Sequence, residues 1–231
     1  MGLLDFIFPK YCVNCKKYGD YLCPNCFARL SFDTKNVCTV CGNPSFDGLT
    51  HPKCKTKYSA EGSFTAVVFN LVTKKLVHQF KYKPYLTNLA SFLTELIYEK
   101  LIQDEAFVSL LKSKPILVPI PITKSRKRNR GYNQSEILAK SLAKKLDLEV
   151  CDGLARVKET RSQVGLDKKE RKENMKGAFE LKDKYSAILK NRAVILVDDV
   201  LTSGSTFSEA ASVLKHKSAR EVWALAFAKE D

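Results

Sequence analysis

The chain has 231 residues, 39 Lys/Arg against 25 Asp/Glu, a formal net charge of +14 and 45% hydrophobic residues. That length supports one substantial core plus a small appendage. No apolar run approaches the roughly 18 residues of a membrane span; Met1 to Pro9 carries Asp5 and lacks the basic start and long apolar centre of a cleavable signal, so a soluble, cytoplasmic protein without membrane insertion is expected.

Seven of the eight cysteines lie in the first 54 residues, as Cys12-x-x-Cys15, Cys23-x-x-Cys26, Cys38-x-x-Cys41 and, with histidine in the first place, His51-x-x-Cys54. Four regular knuckles favour tetrahedral zinc over disulfides or a redox pair, because each knuckle supplies two ligands and two knuckles close a structural site. Pairing neighbours gives one set of Cys12, Cys15, Cys23 and Cys26 and another of Cys38, Cys41, His51 and Cys54. Pairing the first with the third and the second with the fourth is also compatible with the spacing. If His51 merely sits in a turn before Pro52, the second site has three cysteines, so one or two structural zinc ions are expected. The intervening residues hold few large apolar side chains, so metal must supply folding energy.

After a polar connector, Phe64 to Phe69 alternates and predicts a strand. Leu71 to Tyr82 and Leu86 to about Gln103 have helical apolar spacing and predict two helices that cover a sheet. The run His78-Gln-Phe-Lys-Tyr-Lys-Pro-Tyr85 interleaves aromatics with bases like a single-strand stacking platform; the preferred reading is a helix end with core Phe80 and lysines lying along apolar surface. Ile116-Leu-Val-Pro-Ile-Pro121 is a short strand ended by proline. Behind it, five cations, Lys124, Arg126, Lys127, Arg128 and Arg130, sit in the turn before a helix carrying Ile137, Leu138, Leu142 and Leu146 on one face. That turn is either an exposed basic loop or a site for pyrophosphate or a nucleic-acid backbone. Between Lys112 and Arg192 there are 22 Lys/Arg against 10 Asp/Glu, a balance that suits a polyanionic ligand, nucleic acid, or both. Thr160 to Gly177 is polar and short of apolar residues, and is expected to be mobile or to order only with ligand. Cys151 reads as a small buried side chain, Trp223 as a packed one in a last strand from Glu221 to Phe227, and His216 as a surface residue.

The densest stretch is Ala193-Val-Ile-Leu-Val-Asp-Asp-Val-Leu-Thr-Ser-Gly-Ser-Thr-Phe207: a buried strand, a turn and a helix running from Ser205 to about Lys217. Thr202, Ser203, Gly204, Ser205 and Thr206 place hydroxyls and backbone N–H groups at a helix N-terminus, which suits one phosphate. Asp198 and Asp199 would repel that phosphate unless they face ribose hydroxyls or a bound Mg²⁺. A sugar phosphate satisfies both halves. No Gly-Lys-Ser/Thr follows the glycine, which excludes a Walker A loop.

The stretch resembles the phosphoribosyl pyrophosphate (PRPP) signature of type I phosphoribosyltransferases. The resemblance implies that Asp198 and Asp199, the catalytic candidates, hold the ribose 2′ and 3′ hydroxyls, that Thr202 to Thr206 take the 5′-phosphate, and that Mg²⁺ accompanies PRPP. Together with Val118-Pro-Ile-Pro121, Arg130-Gly-Tyr-Asn-Gln-Ser135, Arg161-Ser-Gln163, Arg171, Asn174 and Phe179, it identifies the chain as similar, over its whole length, to the ComF family of bacterial competence proteins. Those proteins also begin with a cysteine-knuckle zinc module, and His51 departs from the cysteine they commonly carry. The implied fold is α/β, a type I phosphoribosyltransferase-like parallel sheet flanked by helices (59–231) behind a small zinc-ribbon module (1–58). Arg161, Gln163, Arg171 and Asn174 would belong to a hood loop that closes over PRPP. The implied role is a PRPP-binding protein that handles single-stranded DNA in natural transformation, with an uptake helicase or translocase as partner. The alternative is an active transferase whose acceptor the residues do not name.

Overall fold

The computed structural model describes residues 10–34, 36–82, 87–160, 167–217 and 219–230; Arg161, Gln163, Tyr85 and the start of the chain lie outside them. Four strands, β1 (Gly62–Val68), β2 (Ile116–Pro119), β5 (Ala193–Leu201) and β6 (Glu221–Lys229), form one parallel sheet in the order β1-β6-β5-β2. A separate antiparallel pair joins β3 (Leu154–Arg156) to β4 (Phe179–Leu181). Parallel strands need long crossovers, and both faces of such a sheet are covered. The apolar runs of β5 and β6 answer to this, with alternate residues serving opposite faces.

One face holds Ile195, Val197, Trp223, Leu225 and Phe227 against the helices α1 (Leu71–Tyr82), α2 (Thr87–Leu101), α3 (Glu105–Leu111) and, two elements further along, Gln134–Leu146. The helix between them, Lys124–Arg130, is α4, and Gln134–Leu146 is α5. The other face holds Val194, Leu196, Val222 and Ala224 against the β3–β4 pair and the helix Ser205–His216. With α6 (Lys168–Met175) before it, Ser205–His216 is α7. Among the described residues no helix is long and apolar enough to cross a membrane. Trp223 stacks on Phe64 with ring centroids 4.9 Å apart, and Cys151 is buried.

Two sequence expectations change here. The basic run from Lys124 to Arg130 is a helix rather than a turn. Thr123 caps its start by accepting from Arg126 N, and Gly131, at φ +80°, ends it in the left-handed conformation. With no apolar residue in the run, hydrophobic periodicity is silent, although both capping residues were legible. Part of the Thr160 to Gly177 segment also forms a helix: α6 starts with a capping box in which Asp167 and Glu170 satisfy each other's backbone N–H.

The knuckle region is more closely joined to the sheet than an appendage would be. β1 is an edge strand, and an open edge invites pairing with other chains. Here Val68 N donates to Ser31 O (2.8 Å), Thr50 N to Glu61 O (2.8 Å) and Ser63 Oγ to Val37 O (3.1 Å), while Leu49 bridges Gly62. The knuckles thus cover that edge. Val13, Tyr21 and Leu22 enter the same core as Val72, Leu76 and Phe80 of α1, which is how a segment with few apolar residues shares a large core.

Candidate functional site

The carboxyl ends of the strands open into a cavity of about 760 Å³ lined by Asp198, Asp199, Thr202, Gly204 and Thr206 together with Lys81, Tyr82, Arg126, Arg130, Arg156 and Arg171. Ligands of open α/β sheets bind at this edge. Strand β5 runs on through the acid pair, so Asp198 and Asp199 project from its last turn of pleat and the loop beyond turns into α7. Gly204 takes φ +80° at the N-cap of that helix, and Ser203 and Ser205 share a hydroxyl contact of 2.9 Å outside the cavity lining.

The two acids differ. Asp198 Oδ1 accepts from Ser135 Oγ (2.7 Å) and from Asp199 N (2.9 Å). Burial, and then the charge of Asp199, push its carboxyl up from the ordinary value to about 6. Asp199 is 3% exposed. Lys81 Nζ, at the end of α1, lies 3.1 Å from its Oδ2; the charges touch, yet the oxygen has no aligned hydrogen bond among the described residues. A buried carboxylate oxygen without such a donor has spare capacity for a hydroxyl or a cation.

The turn from Arg130 to Ser135 supports this site residue by residue. Arg130 Nη1 donates to Gln134 Oε1 (3.0 Å), and its guanidinium lies 5.0 Å over the Tyr82 ring. Tyr132 donates its hydroxyl to Phe80 O and so ties the end of α1, with Lys81, to the turn. Asn133 caps α5 through Ser135 N (3.2 Å) and donates to Ile120 O (3.0 Å) at the end of β2. Ser135 then reaches Asp198.

Arg126 and Arg130 face the cavity, whereas Lys124, Lys127 and Arg128 are exposed on the outer side of α4. Arg171 reaches the cavity from α6, and Asn174, one turn on, does not line it. Among the charged lining residues Arg156 escaped the sequence reading, while Lys81 and Gln134 stood in runs singled out there without a place in this cavity. Arg156 Nη2 donates to Thr160 Oγ1, its guanidinium lies 5.5 Å from the Phe179 ring, and its buried Nε has no hydrogen-bond partner among the described residues. Burial, reinforced by Arg126, pulls its pKa down to about 10. A lone arginine at the end of a three-residue strand gives no local signal of such a place; only the tertiary fold brings it to Asp198.

The knuckles gather into two sets, Cys12, Cys15, Cys23 and Cys26, and Cys38, Cys41, His51 and Cys54, with ligand atoms within 4.8 Å of one another in each. Zinc–sulfur bonds of about 2.3 Å in a tetrahedron place sulfurs about 3.8 Å apart, so both sets fit zinc, and the neighbouring-knuckle pairing is the one formed. His51 belongs to the second set. Its Nε2 lies 2.9 Å from Pro44 O and its Nδ1 3.3 Å from Cys41 Sγ. A carbonyl only accepts, so Nε2 carries the proton and Nδ1 offers its lone pair to the metal.

Residues 133–230 match the phosphoribosyl transferase domain family and residues 3–55 the double zinc ribbon domain family. Fold and site therefore define a phosphoribosyltransferase-type α/β protein with an N-terminal double zinc ribbon. The chain is 38% identical over 132 residues to Competence protein F of Haemophilus influenzae, covering 54% of this chain and 56% of that protein, so this match spans little more than half of the relative's length. It is 29% identical over 209 residues to DNA utilization protein YhgH of Escherichia coli (88% of this chain, 89% of the relative). To Competence protein ComFC of Bacillus subtilis it is 24% identical over 210 residues (87% and 80%). Within that class, the relatives it is similar to are named for competence and for DNA utilization.

Proposed function

We propose that this protein binds PRPP with Mg²⁺ at the cavity and single-stranded DNA on the basic surface beside it, as a cytoplasmic DNA-handling protein of natural transformation. One observation carries the reading: an acid pair and a hydroxyl-rich helix N-terminus open onto the same cavity, ringed by Lys81, Arg126, Arg130, Arg156 and Arg171. Asp198 and Asp199 would accept from the ribose 2′ and 3′ hydroxyls, and Thr202, Ser203, Gly204, Ser205 and Thr206 would take the 5′-phosphate through backbone N–H and hydroxyl donors. The ring of cations would meet the pyrophosphate. Mg²⁺ bound with PRPP would neutralise charge between pyrophosphate and carboxylates. Lys81, which balances Asp199 in the free protein, would be released toward an anionic oxygen. Residues 1–58 act as the zinc unit and 59–231 as the ligand-binding domain, with Arg161, Gln163, Arg171 and Asn174 in the closing segment.

The relatives named for competence and DNA utilization support the DNA half, as does the basic helix. Its division into two sides gives each anion its own cations. Arg126 and Arg130 serve the cavity, and Lys124, Lys127 and Arg128 a polyanion outside it. A DNA-uptake helicase or translocase is the partner such a role requires. Transfer of the phosphoribosyl group to an acceptor is the second reading, favoured by the cations placed to stabilise a departing pyrophosphate beside carboxylates that orient the ribose.

Anisotropy titration of labelled single-stranded DNA tests the division. Changing Lys124, Lys127 and Arg128 together to alanine is expected to flatten the log–log salt dependence by about 2, at roughly 0.7 per phosphate contact, without altering PRPP affinity. A loss of PRPP affinity with an unchanged DNA slope would reverse the assignment. Pyrophosphate release from PRPP in the presence of candidate bases would instead support the transferase.

A further inference from the structure

We propose that the second zinc site is a positioning element of the sugar-phosphate site: it clamps both ends of α7, so that zinc at Cys38, Cys41, His51 and Cys54 and a phosphate at the α7 N-terminus favour each other's binding. The inference rests on the reading of the Thr202 to Thr206 loop as the phosphate site.

At the amino end of α7 the loop is backed by the knuckle itself. A Cβ on Gly204 would stand 2.4 Å from Thr39 O and 2.8 Å from Thr39 Cα, so the two backbones are in direct contact. Thr39 lies between the ligands Cys38 and Cys41 and is completely buried. Val37, one residue before the knuckle, packs in the same core as Phe207, Ala210 and Leu214 of α7. At the carboxyl end, Tyr58 stacks on His216 with ring centroids 3.5 Å apart. Glu61 also joins Lys55, next to Cys54, to Lys215 near the end of α7, at 2.9 Å to each.

The first zinc site is placed differently. Cys12, Cys23 and Cys26 pack with α1 and α2 on the opposite face of the sheet, and Lys75 of α1 reaches Asn14 Oδ1 at 2.8 Å. Neither of these contacts involves α7.

The coupling follows from what holds each part in place. Between Cys38 and Cys54 the regular structure consists of two single 3₁₀ turns, Phe46–Gly48 and Pro52–Cys54, and isolated bridges at Pro44 and Leu49, too little to order the knuckle without metal. A phosphate bound by several N–H groups needs them converging before it arrives, and the ordering cost is smaller when a rigid surface already backs the loop. Zinc supplies that surface, and linkage makes the effect reciprocal.

Zinc transfer from the full-length zinc-loaded protein to a chromogenic chelator tests this. The probe is ribose 5-phosphate, which carries the phosphate and the ribose hydroxyls without a metal-chelating pyrophosphate. At ten times its Kd the ligand is expected to slow release of one of the two zinc ions by about tenfold, the factor 1 + [L]/Kd. The slowed ion should be the one missing from the His51→Ala/Cys54→Ala variant and retained in Cys12→Ala/Cys15→Ala; either variant suffices to assign it. No protection, equal protection of both ions, or protection of the first site alone would overturn the inference while leaving the phosphate site in place. Failure of the wild-type protein to bind ribose 5-phosphate in calorimetry would instead remove the phosphate reading, and the inference with it.

Discussion

Replacing Asp198 by asparagine is expected to raise the melting temperature of the ligand-free protein by several degrees near pH 7.5. The carboxyl titrates at about 6, above its ordinary value, because it is buried and then because Asp199 is beside it. A carboxyl whose folded pKa lies above its unfolded pKa binds the proton more tightly in the folded state. Its ionisation therefore costs stability: the cost is absent below about pH 4, grows between pH 4 and 6, and is complete above that. A displacement of this size corresponds to about 1–3 kcal/mol after allowance for partial exposure, or roughly 2–4 °C per kcal/mol in a chain of this length. Asparagine keeps Oδ1 as the acceptor for Ser135 Oγ and Asp199 N, so the variant loses the charge and little else. The gain should shrink at pH 5. A variant that melts at or below the wild type at both pH values would show that the acid pair is not strained in the free protein. A binding site that holds two acids together at a stability cost is the usual pattern of function opposing stability.

The second large effect is at Gly204. Alanine there meets two penalties: a left-handed backbone at φ +80° and a Cβ 2.4 Å from the carbonyl oxygen of Thr39. The first costs about 1 kcal/mol or more. The second forces apart two backbones, neither of which can rotate away, and overpacking of this kind adds about 1–3 kcal/mol. Gly131 supplies the control, since it has the same φ of +80° but a Cβ there would meet no atom within 4 Å beyond its chain neighbours. Gly131→Ala should therefore lower stability by only the backbone penalty, and Gly204→Ala by at least twice as much, as read from paired denaturant melts. Equal losses would mean that the loop does not rest on the knuckle.

How much of this was legible in the sequence varies with the range of the interactions. Local signals served well: the helix from Leu71 to Tyr82 has the bounds its periodicity predicts, and the strand–turn–helix around Asp198 lies where its apolar run and hydroxyl cluster place it. The four knuckles showed the chemistry of their metal but not their pairing, which needed the fold. What stayed hidden is long-range. Lys81 meets Asp199 across 118 positions of chain, and Ser135 meets Asp198 across 63; no window contains both partners. Strands β3 and β4 are three residues each, too short for alternation to register. The strand order β1-β6-β5-β2 and the seat of Gly204 on Thr39 are likewise properties of packing.

The central claim is that the acid pair and the loop beyond it form one site for PRPP. Calorimetric titration of PRPP with Mg²⁺ into the zinc-loaded wild type and into the Asp198→Ala/Asp199→Ala variant tests it most directly. One-to-one binding by the wild type, abolished in a variant whose circular dichroism and zinc content are unchanged, is the predicted result. Equal affinity in both proteins, or no binding by the wild type, would contradict it.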